Sequence, residues 1–207
     1  MSPEQTKKFE QIEKLSEKLT TSQVDFWQQY SSWTSWQFWF LIGVLFLSLF
    51  ILYLFIDRRK ALLLGFFGLN VHVWLSYFDD IALSNGLWSF PYKVVPFLPA
   101  FASDAAIAPV ALMLVFQWTL NYNKNYYLYA TGLCLFLAFL WRSLLSTIGL
   151  FQVKNGINYL YLFLGYITVM LVSKWITKIF VHFQKKPENP FRKKMNLNIL
   201  PEKEKAK

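Results

Sequence analysis

The fold of this chain is decided by residues 36–56, which read WQFWFLIGVLFLSLFILYLFI. The stretch carries no charged residue, and Gln37 and Ser48 are its polar interruptions. As a helix it would rise about 1.5 Å per residue, which is enough to cross a hydrocarbon core of about 30 Å. We therefore predict that this stretch spans a membrane.

Further apolar runs follow on its C-terminal side. Of all residues, 55% are hydrophobic and 20% are aromatic, more than ordinary soluble domains carry. The predicted fold class is all-α: a polytopic membrane protein, a bundle of five transmembrane helices with an amphipathic N-terminal helix. The predicted spans are residues 36–56, 61–78, 97–118, 126–149 and 159–180, which together make a transmembrane domain over residues 36–180.

Residues 1–35 are predicted to form the amphipathic N-terminal segment. Apolar residues recur in it at spacings of three and four, which places one apolar stripe on a helix. The stripe consists of Phe9, Ile12, Leu15 and Leu19. Aromatic residues then crowd between Phe26 and Trp39, as they do at a membrane interface. Two interpretations stay open: the helix lies on or beside the membrane, or the stripe binds a partner.

The positions of the cations argue against nucleic acid as the reason for the net charge of +9. Ten of the 21 Lys and Arg residues lie at or after Lys174, beside the last apolar run, which is typical of the cytoplasmic flank of a membrane helix. Residues 181–207 are therefore predicted to be a basic, largely disordered cytoplasmic tail. With five spans, the N-terminus would lie outside the cell membrane, and Lys93 and Lys154 would be the cations of the outer loops.

No sequence pattern indicates catalysis, a metal or a cofactor. Cys134 is the only cysteine, and His72 and His182 fall at opposite faces of the membrane in this topology. The sequence has no zinc-protease helix, paired-cysteine motif, phosphate-cradling loop or nucleophile elbow. We therefore predict no catalytic residues, no metal and no cofactor, and we favour a protein that is not an enzyme.

The polar residues gather instead between Asp79 and Val110. This stretch holds two adjacent acids, three prolines between residues 91 and 99, and Asp104 inside an apolar run. A charge at the centre of a membrane helix costs about 2.5–3.5 kcal/mol on insertion scales, so such a residue marks a candidate functional site. The proline-rich loop also carries Trp88 and Tyr92, which keep it at the depth of the interface.

Three ionisable residues on three predicted spans share one depth. His72 and Arg142 each lie seven residues before the outer end of a predicted span, and Asp104 lies seven residues after one, so each is about 10 Å below the outer surface. We expect an ion pair between Asp104 and Arg142, with His72 directed toward the acids Asp79 and Asp80. Three interpretations stay open: a structural lock between helices, a ligand, ion or proton site in an outward-opening pocket, or a misplaced boundary.

The same region carries a resemblance to a known family. The residues that carry it are Tyr77–Ile81, Gly86–Lys93, Pro96, Asp104, Pro109–Val110 and Gln117–Trp118. They resemble the pattern of an uncharacterised family of small multi-pass membrane proteins of endospore-forming Gram-positive bacteria, with its Trp-x-Tyr-Pro-Tyr turn. Phe90 and Phe116 stand where that family has tyrosines, and Trp141-Arg142 stands near its Glu-Pro or Lys-Pro. The resemblance covers about residues 36–180 and implies a bacterial plasma-membrane protein without supplying an activity.

These observations define a set of candidate binding residues and three function hypotheses. The candidate residues are His72, Asp79, Asp80, Trp88, Tyr92, Asp104, Gln117 and Arg142. The first hypothesis is an integral plasma-membrane protein, not an enzyme, with an outward-facing polar pocket for a ligand, an ion or a partner. The alternatives are a small proton- or ion-coupled transporter component and an intramembrane lipid-modifying enzyme that uses His72 with an aspartate. Besides the lipid bilayer, we expect a membrane protein or a second copy of the chain as partner.

Overall fold

A computed structural model describes residues 1–98, 106–154 and 156–184 of the chain. The structure is about 80% helical and has almost no strands, which confirms the predicted all-α class. The helices are α1 (Pro3–Phe26), α2 (Trp36–Phe55), α3 (Ala61–Ser84), α4 (Ala108–Asn121), α5 (Tyr126–Leu135), α6 (Arg142–Thr147) and α7 (Tyr159–Gln184). Two short strands, β1 (Trp88–Ser89) and β2 (Gln152–Val153), pair antiparallel.

Four helices are long and apolar enough to cross a membrane. They are Trp36–Phe55, Arg58–Ser84, Tyr126–Thr147 and Tyr159–Gln184. The third of them joins α5 to α6 through a wider turn at Phe136–Trp141. α4 is apolar but shorter, with 14 residues. Part of the span predicted at residues 97–118 falls in residues 99–105, outside the described ranges, so the number of five spans stays a prediction.

Two helices run further than the sequence predicted. α3 continues to Ser84, whereas the second span was predicted to end at residue 78. α7 continues to Gln184, so residues 181–184 of the predicted tail are helical, and residues 185–207 lie outside the described ranges. At the start of the predicted third span, Phe97 and Leu98 lie in a loop rather than in a helix.

Local hydrogen bonds explain where α2 begins and ends. Ser35 caps α2 by accepting a hydrogen bond from the backbone N–H of Phe38 at 3.3 Å. At the other end of α2, the Gln117 side chain donates to the Phe55 carbonyl at 2.8 Å and accepts from the Asp57 N–H at 2.7 Å. Gln117 therefore satisfies backbone groups that a helix end leaves without intrahelical partners.

α3 lies at the centre of the bundle, against α4 and α7. Four of its apolar residues recur at spacings of three and four and are at most 1% exposed: Leu64, Phe67, Val71 and Leu75. α2 has only Leu41 and Ser48 buried and exposes large apolar side chains around its remaining surface. An apolar helix exposed in this way is stable where the surrounding solvent is lipid.

The bundle has two ends, which differ in chemistry. The basic end holds the turn Arg58–Lys60 and Asn121, whose side chain accepts a hydrogen bond from Lys60. The ribbon end holds the β1–β2 pair and the loop that follows β1 to residue 98. α1 joins the bundle at the ribbon end, through side chains just beyond its last residue.

Candidate functional site

An ion pair is buried between helices toward the ribbon end. Arg142, the first residue of α6, is 0% exposed, and Asp79 on α3 is 3% exposed. The Nη2 atom of Arg142 lies 3.7 Å from Oδ1 of Asp79. Opposite charges at this distance offset part of the cost of keeping each group away from water. The pair therefore joins α3 to α6 inside the bundle.

Both charged groups also bind side chains from other elements. Trp88 Nε1 donates a hydrogen bond to Asp79 Oδ1 at 3.2 Å. Arg142 Nε donates to the hydroxyl oxygen of Tyr166 at 3.2 Å. Trp88 belongs to β1 and Tyr166 to α7, so four elements meet here. We call Asp79, Trp88, Arg142 and Tyr166 the buried network.

Two phenylalanine rings cover the guanidinium group of Arg142. Its Cζ atom lies 5.1 Å from the ring centroid of Phe90 and 4.5 Å from that of Phe151. Both distances fall within the roughly 6 Å over which a cation is attracted to a ring face. The two ring centroids are 5.4 Å apart. Aromatic side chains therefore surround the cation where it faces the ribbon end.

Local structure explains how these side chains meet. The wider turn Phe136–Trp141 lies directly before Arg142. A turn of this π type holds more residues than an α-helical turn, so it changes the face that the following residues present. In the ribbon, Trp88 pairs with Val153, and its ring lies 6.4 Å from that of Phe151. Pairing of β1 with β2 thus places the rings of Trp88 and Phe151 at the end of the helices.

Three of the predicted binding residues lie together in the buried network: Asp79, Trp88 and Arg142. Asp80 is exposed because successive residues of a helix point about 100° apart. Tyr92 is half-buried and packs against the hydrophobic core near the ribbon end. These predicted residues therefore lie in three different places: the buried network, the hydrophobic core and the surface.

The remaining predicted residues lie elsewhere. His72 is two helical turns before the network on α3, and its buried Nδ1 has no hydrogen-bond partner among the described residues. Gln117 lies at the basic end, where it binds backbone groups. Asp104 falls within residues 99–105, outside the described ranges. The predicted pairing of Asp104 with Arg142 stays a prediction, and the described acid beside Arg142 is Asp79.

Three aromatic members of the site were missed by reasoning from the sequence: Phe90, Phe151 and Tyr166. The chain contains 21 phenylalanines and 11 tyrosines, so residue type alone singles out none of them. For Tyr166 there was a usable signal in its neighbour Gly165, because small residues in membrane helices mark close contacts. A Cβ atom at Gly165 would overlap the ring of Phe78 on α3.

A cavity of about 210 Å³ opens at the ribbon end, between the last turn of α1 and the proline-rich loop. Its lining residues are Ser22, Gln23, Phe26, Trp27, Ser31, Phe90, Pro91, Lys93 and Pro96. Among these lining residues, Lys93 is the one that carries a charge. We call this space the ribbon-end cavity.

Lys93 also joins the N-terminal segment to the proline-rich loop through hydrogen bonds. Its carbonyl accepts hydrogen bonds from Trp27 Nε1 at 2.9 Å and from Ser31 Oγ at 3.2 Å, and its backbone N–H donates to Ser31 Oγ at 2.8 Å. The Nζ atom donates to the Pro96 carbonyl at 3.3 Å. Burial lowers the pKa of the Lys93 amine from its ordinary value of 10.5. A nearby anion would stabilise the charged form of this amine.

Phe90 belongs to both features. It lines the ribbon-end cavity, and its ring lies over the guanidinium of Arg142. Phe90 is 6% exposed, so its ring is held between the cavity and the buried network. A change in the position of this ring would therefore alter both the ribbon-end cavity and the surroundings of Arg142.

The cavity offers a cation beside aromatic rings and proline side chains, which suits an anion attached to an apolar group. Among the described residues, no group of three or more His, Cys, Asp or Glu side chains could hold a metal ion.

Comparisons with protein-family models, with curated proteins and with solved structures found no match to this chain. The class of this protein therefore rests on its own structure: it is a mostly helical protein with four helices that could span a membrane. The relation to the bacterial family with the Trp-x-Tyr-Pro-Tyr turn stays a prediction.

Proposed function

We propose that this chain is an integral plasma-membrane protein that binds a small anionic ligand at its outer face and is not an enzyme. The ligand would occupy the ribbon-end cavity and consist of an anionic group on a small apolar body. The observation that carries the proposal is the placement of the Lys93 amine among aromatic and proline side chains, with burial lowering its pKa. An anionic ligand would restore favourable surroundings for the charged amine.

The size of the cavity limits the ligand. Its volume of about 210 Å³ is below the roughly 300–1,000 Å³ of sites for drug-sized molecules. The volume of a small carboxylate with one ring is of the right order for this cavity. A single side chain from a partner protein is the largest macromolecular feature that would enter the same space.

The contact through Phe90 supports a role in passing a signal. A ligand in the cavity would touch the ring that covers Arg142. Arg142 in turn binds Asp79 on α3 and Tyr166 on α7. Occupancy of the ribbon-end cavity would thereby change the contacts between helices inside the membrane. A membrane partner or a second copy of the chain would respond to this change.

The proposed orientation places the ribbon end outside and the basic end in the cytoplasm. It is supported by the three consecutive cations Arg58–Lys60 at the basic end, because cytoplasmic loops carry an excess of Lys and Arg. Labelling of single cysteines in intact cells tests it, and Cys134 is buried and adds little background. Ser2→Cys should react with an impermeant reagent and Lys207→Cys should not. The reverse pattern would overturn the orientation.

A ligand test can use phenylacetate, which joins a carboxylate to one ring. Thermal unfolding of the purified chain in detergent would be measured with and without phenylacetate, for the unaltered protein, Lys93→Met and Lys154→Met. Lys154 is the matched control because it is an exposed cation at the same end and does not line the cavity. Phenethylamine, with a similar body and the opposite charge, controls for apolar binding.

We expect phenylacetate to raise the unfolding temperature of the unaltered protein and of Lys154→Met, and to leave Lys93→Met unchanged. Phenethylamine should stabilise none of the three. Equal stabilisation of Lys93→Met by phenylacetate would show that the lysine does not receive the anion. Absence of stabilisation in the unaltered protein would remove this ligand class from the proposal.

A further inference from the structure

A second cavity lies at the opposite end of the bundle, between the first turns of α3 and the last turns of α7. Its volume is about 570 Å³. The polar part of its lining includes Arg59, Lys60 and Gln184, and the apolar part includes Leu62, Phe66 and Phe180. We call it the basic-end groove. It lies across the bundle from the ribbon-end cavity and shares no lining residue with it.

The groove changes from polar to apolar along the helix axis. Arg59 and Lys60 come directly before α3, and Phe66 lies six residues after Lys60, which is about 9 Å deeper at helical rise. The rings of Phe66 and Phe180 form its floor, with centroids 4.9 Å apart. Leu62 on its wall is 85% exposed, so the apolar part is open toward the surroundings of the bundle.

The cations at the mouth of the groove are available to a ligand. Asp57 directly precedes these cations in sequence, and its carboxylate caps the turn by accepting from the backbone N–H of Arg59 at 3.0 Å. Within the described ranges, neither Arg58, Arg59 nor Lys60 forms an ion pair with an acid. The Lys60 amine donates to the Asn121 side chain, which is a neutral group.

We propose that the basic-end groove binds one anionic phospholipid, with its phosphate at Arg59 and Lys60 and an acyl chain along Leu62, Phe66 and Phe180. A basic pocket between membrane helices, with apolar walls toward the hydrocarbon, matches the charge and polarity of such a lipid. The chain's own segment after Gln184 is the less suitable occupant. It begins with Lys185 and Lys186, whose charges have the same sign as those at the mouth.

The test uses the full chain purified in a neutral detergent and supplied with phosphatidylglycerol or phosphatidylcholine in mixed micelles. Native mass spectrometry counts the lipids bound per chain, and thermal unfolding reports whether each variant is folded. The variant is Arg59→Gln and its matched control is Arg58→Gln, which removes the same charge one residue away from the lining. Phe180→Ala tests the apolar wall, with Leu171→Ala, an exposed residue of α7 outside the groove, as its control.

We expect one phosphatidylglycerol to bind per chain in preference to phosphatidylcholine. Arg59→Gln should weaken this binding about fivefold, as expected for one cation near a membrane surface, and Arg58→Gln should weaken it less. Phe180→Ala should weaken it more than Leu171→Ala does. Equal losses in the two arginine variants would mean diffuse electrostatic attraction and would overturn the site.

Three other results would also overturn the proposal. Equal binding of phosphatidylcholine would show that the headgroup is not recognised. Competition by inorganic phosphate at the same concentration as the lipid would point to a free anion instead. A dimer mass that Arg59→Gln abolishes would show that the groove is a contact between two copies of the chain.

Discussion

Arg142 has surroundings that are uncommon for an arginine. Its guanidinium is buried, lies 3.7 Å from a carboxylate oxygen of Asp79, binds the Tyr166 hydroxyl and is covered by two aromatic rings. These contacts come from several elements, so the position of Arg142 depends on the bundle and the ribbon together. Removing its charge should therefore have consequences well beyond one contact.

Arg142→Met should lower the free energy of unfolding by about 3 kcal/mol or more, because Asp79 stays buried and loses its cation. The double variant Asp79→Asn/Arg142→Met should recover part of this loss. The amide oxygen of the introduced asparagine would still accept the hydrogen bond from Trp88, and no buried charge would remain at either position. Equilibrium unfolding in mixed micelles measures all three proteins. A double variant less stable than Arg142→Met would contradict the ion-pair explanation.

Lys93 makes stability depend on pH. Burial lowers the pKa of its amine in the folded chain below the ordinary value of 10.5. Between the lowered pKa and 10.5, the unfolded chain binds more protons than the folded one, so stability rises with pH across that window. Lys93→Met should reduce this rise. Unfolding measured from neutral pH to about pH 10.5 tests this, and identical slopes in the unaltered protein and the variant would contradict it.

The residue scale also shows how far the sequence can predict the site. An intramembrane charge is recognisable in one sequence, and Arg142 was recognised in this way. Asp79 was not predicted as a partner of Arg142, since Asp79 and Asp80 resemble the end of a helix at an interface. The rotation of one helix against another decides which acid faces the arginine, and a single sequence does not contain that rotation. Aromatic partners such as Tyr166 cannot be distinguished in the sequence from the many other residues of their type.

At the scale of elements, the apolar runs predicted helices well. α2 ends at Phe55, where the sequence predicted residue 56, and α5 begins at Tyr126 as predicted. The second span was predicted to end at residue 78 because two adjacent acids normally mark the exit from a membrane. Pairing of Asp79 with Arg142 removes that need, so the helix continues to Ser84. The β1–β2 pair was not predicted, because its two-residue strands are far apart in sequence.

Close contact between α3 and α7 depends on Gly165. A Cβ atom there would overlap the ring of Phe78, and this ring also packs against Trp88 with centroids 5.5 Å apart. Gly165→Ala should therefore destabilise the chain by about 1–3 kcal/mol, because the ring would have to move toward the buried network. Thermal unfolding in detergent measures this effect.

Gly132→Ala is the matched control for that substitution. Gly132 lies inside α5, and a Cβ atom there would meet nothing within 4 Å. Alanine is favoured over glycine in a helix interior by about 1 kcal/mol, so this variant should be neutral or stabilised. Equal destabilisation by the two substitutions would show that the contact with Phe78 is not the cause.

At the scale of the whole molecule, the two ends of the bundle offer different binding surfaces. The ribbon end has a small cavity with one lysine, and the basic end has a larger groove with cations at its mouth. The charges of both ends could be located from the sequence, since cations flank the predicted spans. The cavities could not, because they form between segments distant in sequence: α1 with the proline-rich loop, and α3 with α7.

The proposed role in passing a signal depends on a link between the ribbon-end cavity and the buried network. Phe90 is the physical element of this link, since its ring both lines the cavity and covers Arg142. Asp79 and Arg142 do not line the cavity. A change at these two positions alters binding in the cavity only if the two features are coupled.

The most direct test is calorimetric titration of phenylacetate into the unaltered protein and into Asp79→Asn/Arg142→Met. We predict binding to the unaltered protein and an affinity about fivefold lower in the double variant, because Phe90 loses the cation that holds its ring. Thermal unfolding confirms that the variant is folded at the temperature of the titration. Equal affinity in the two folded proteins would contradict the link, and a failure of the unaltered protein to bind would contradict the proposed ligand class.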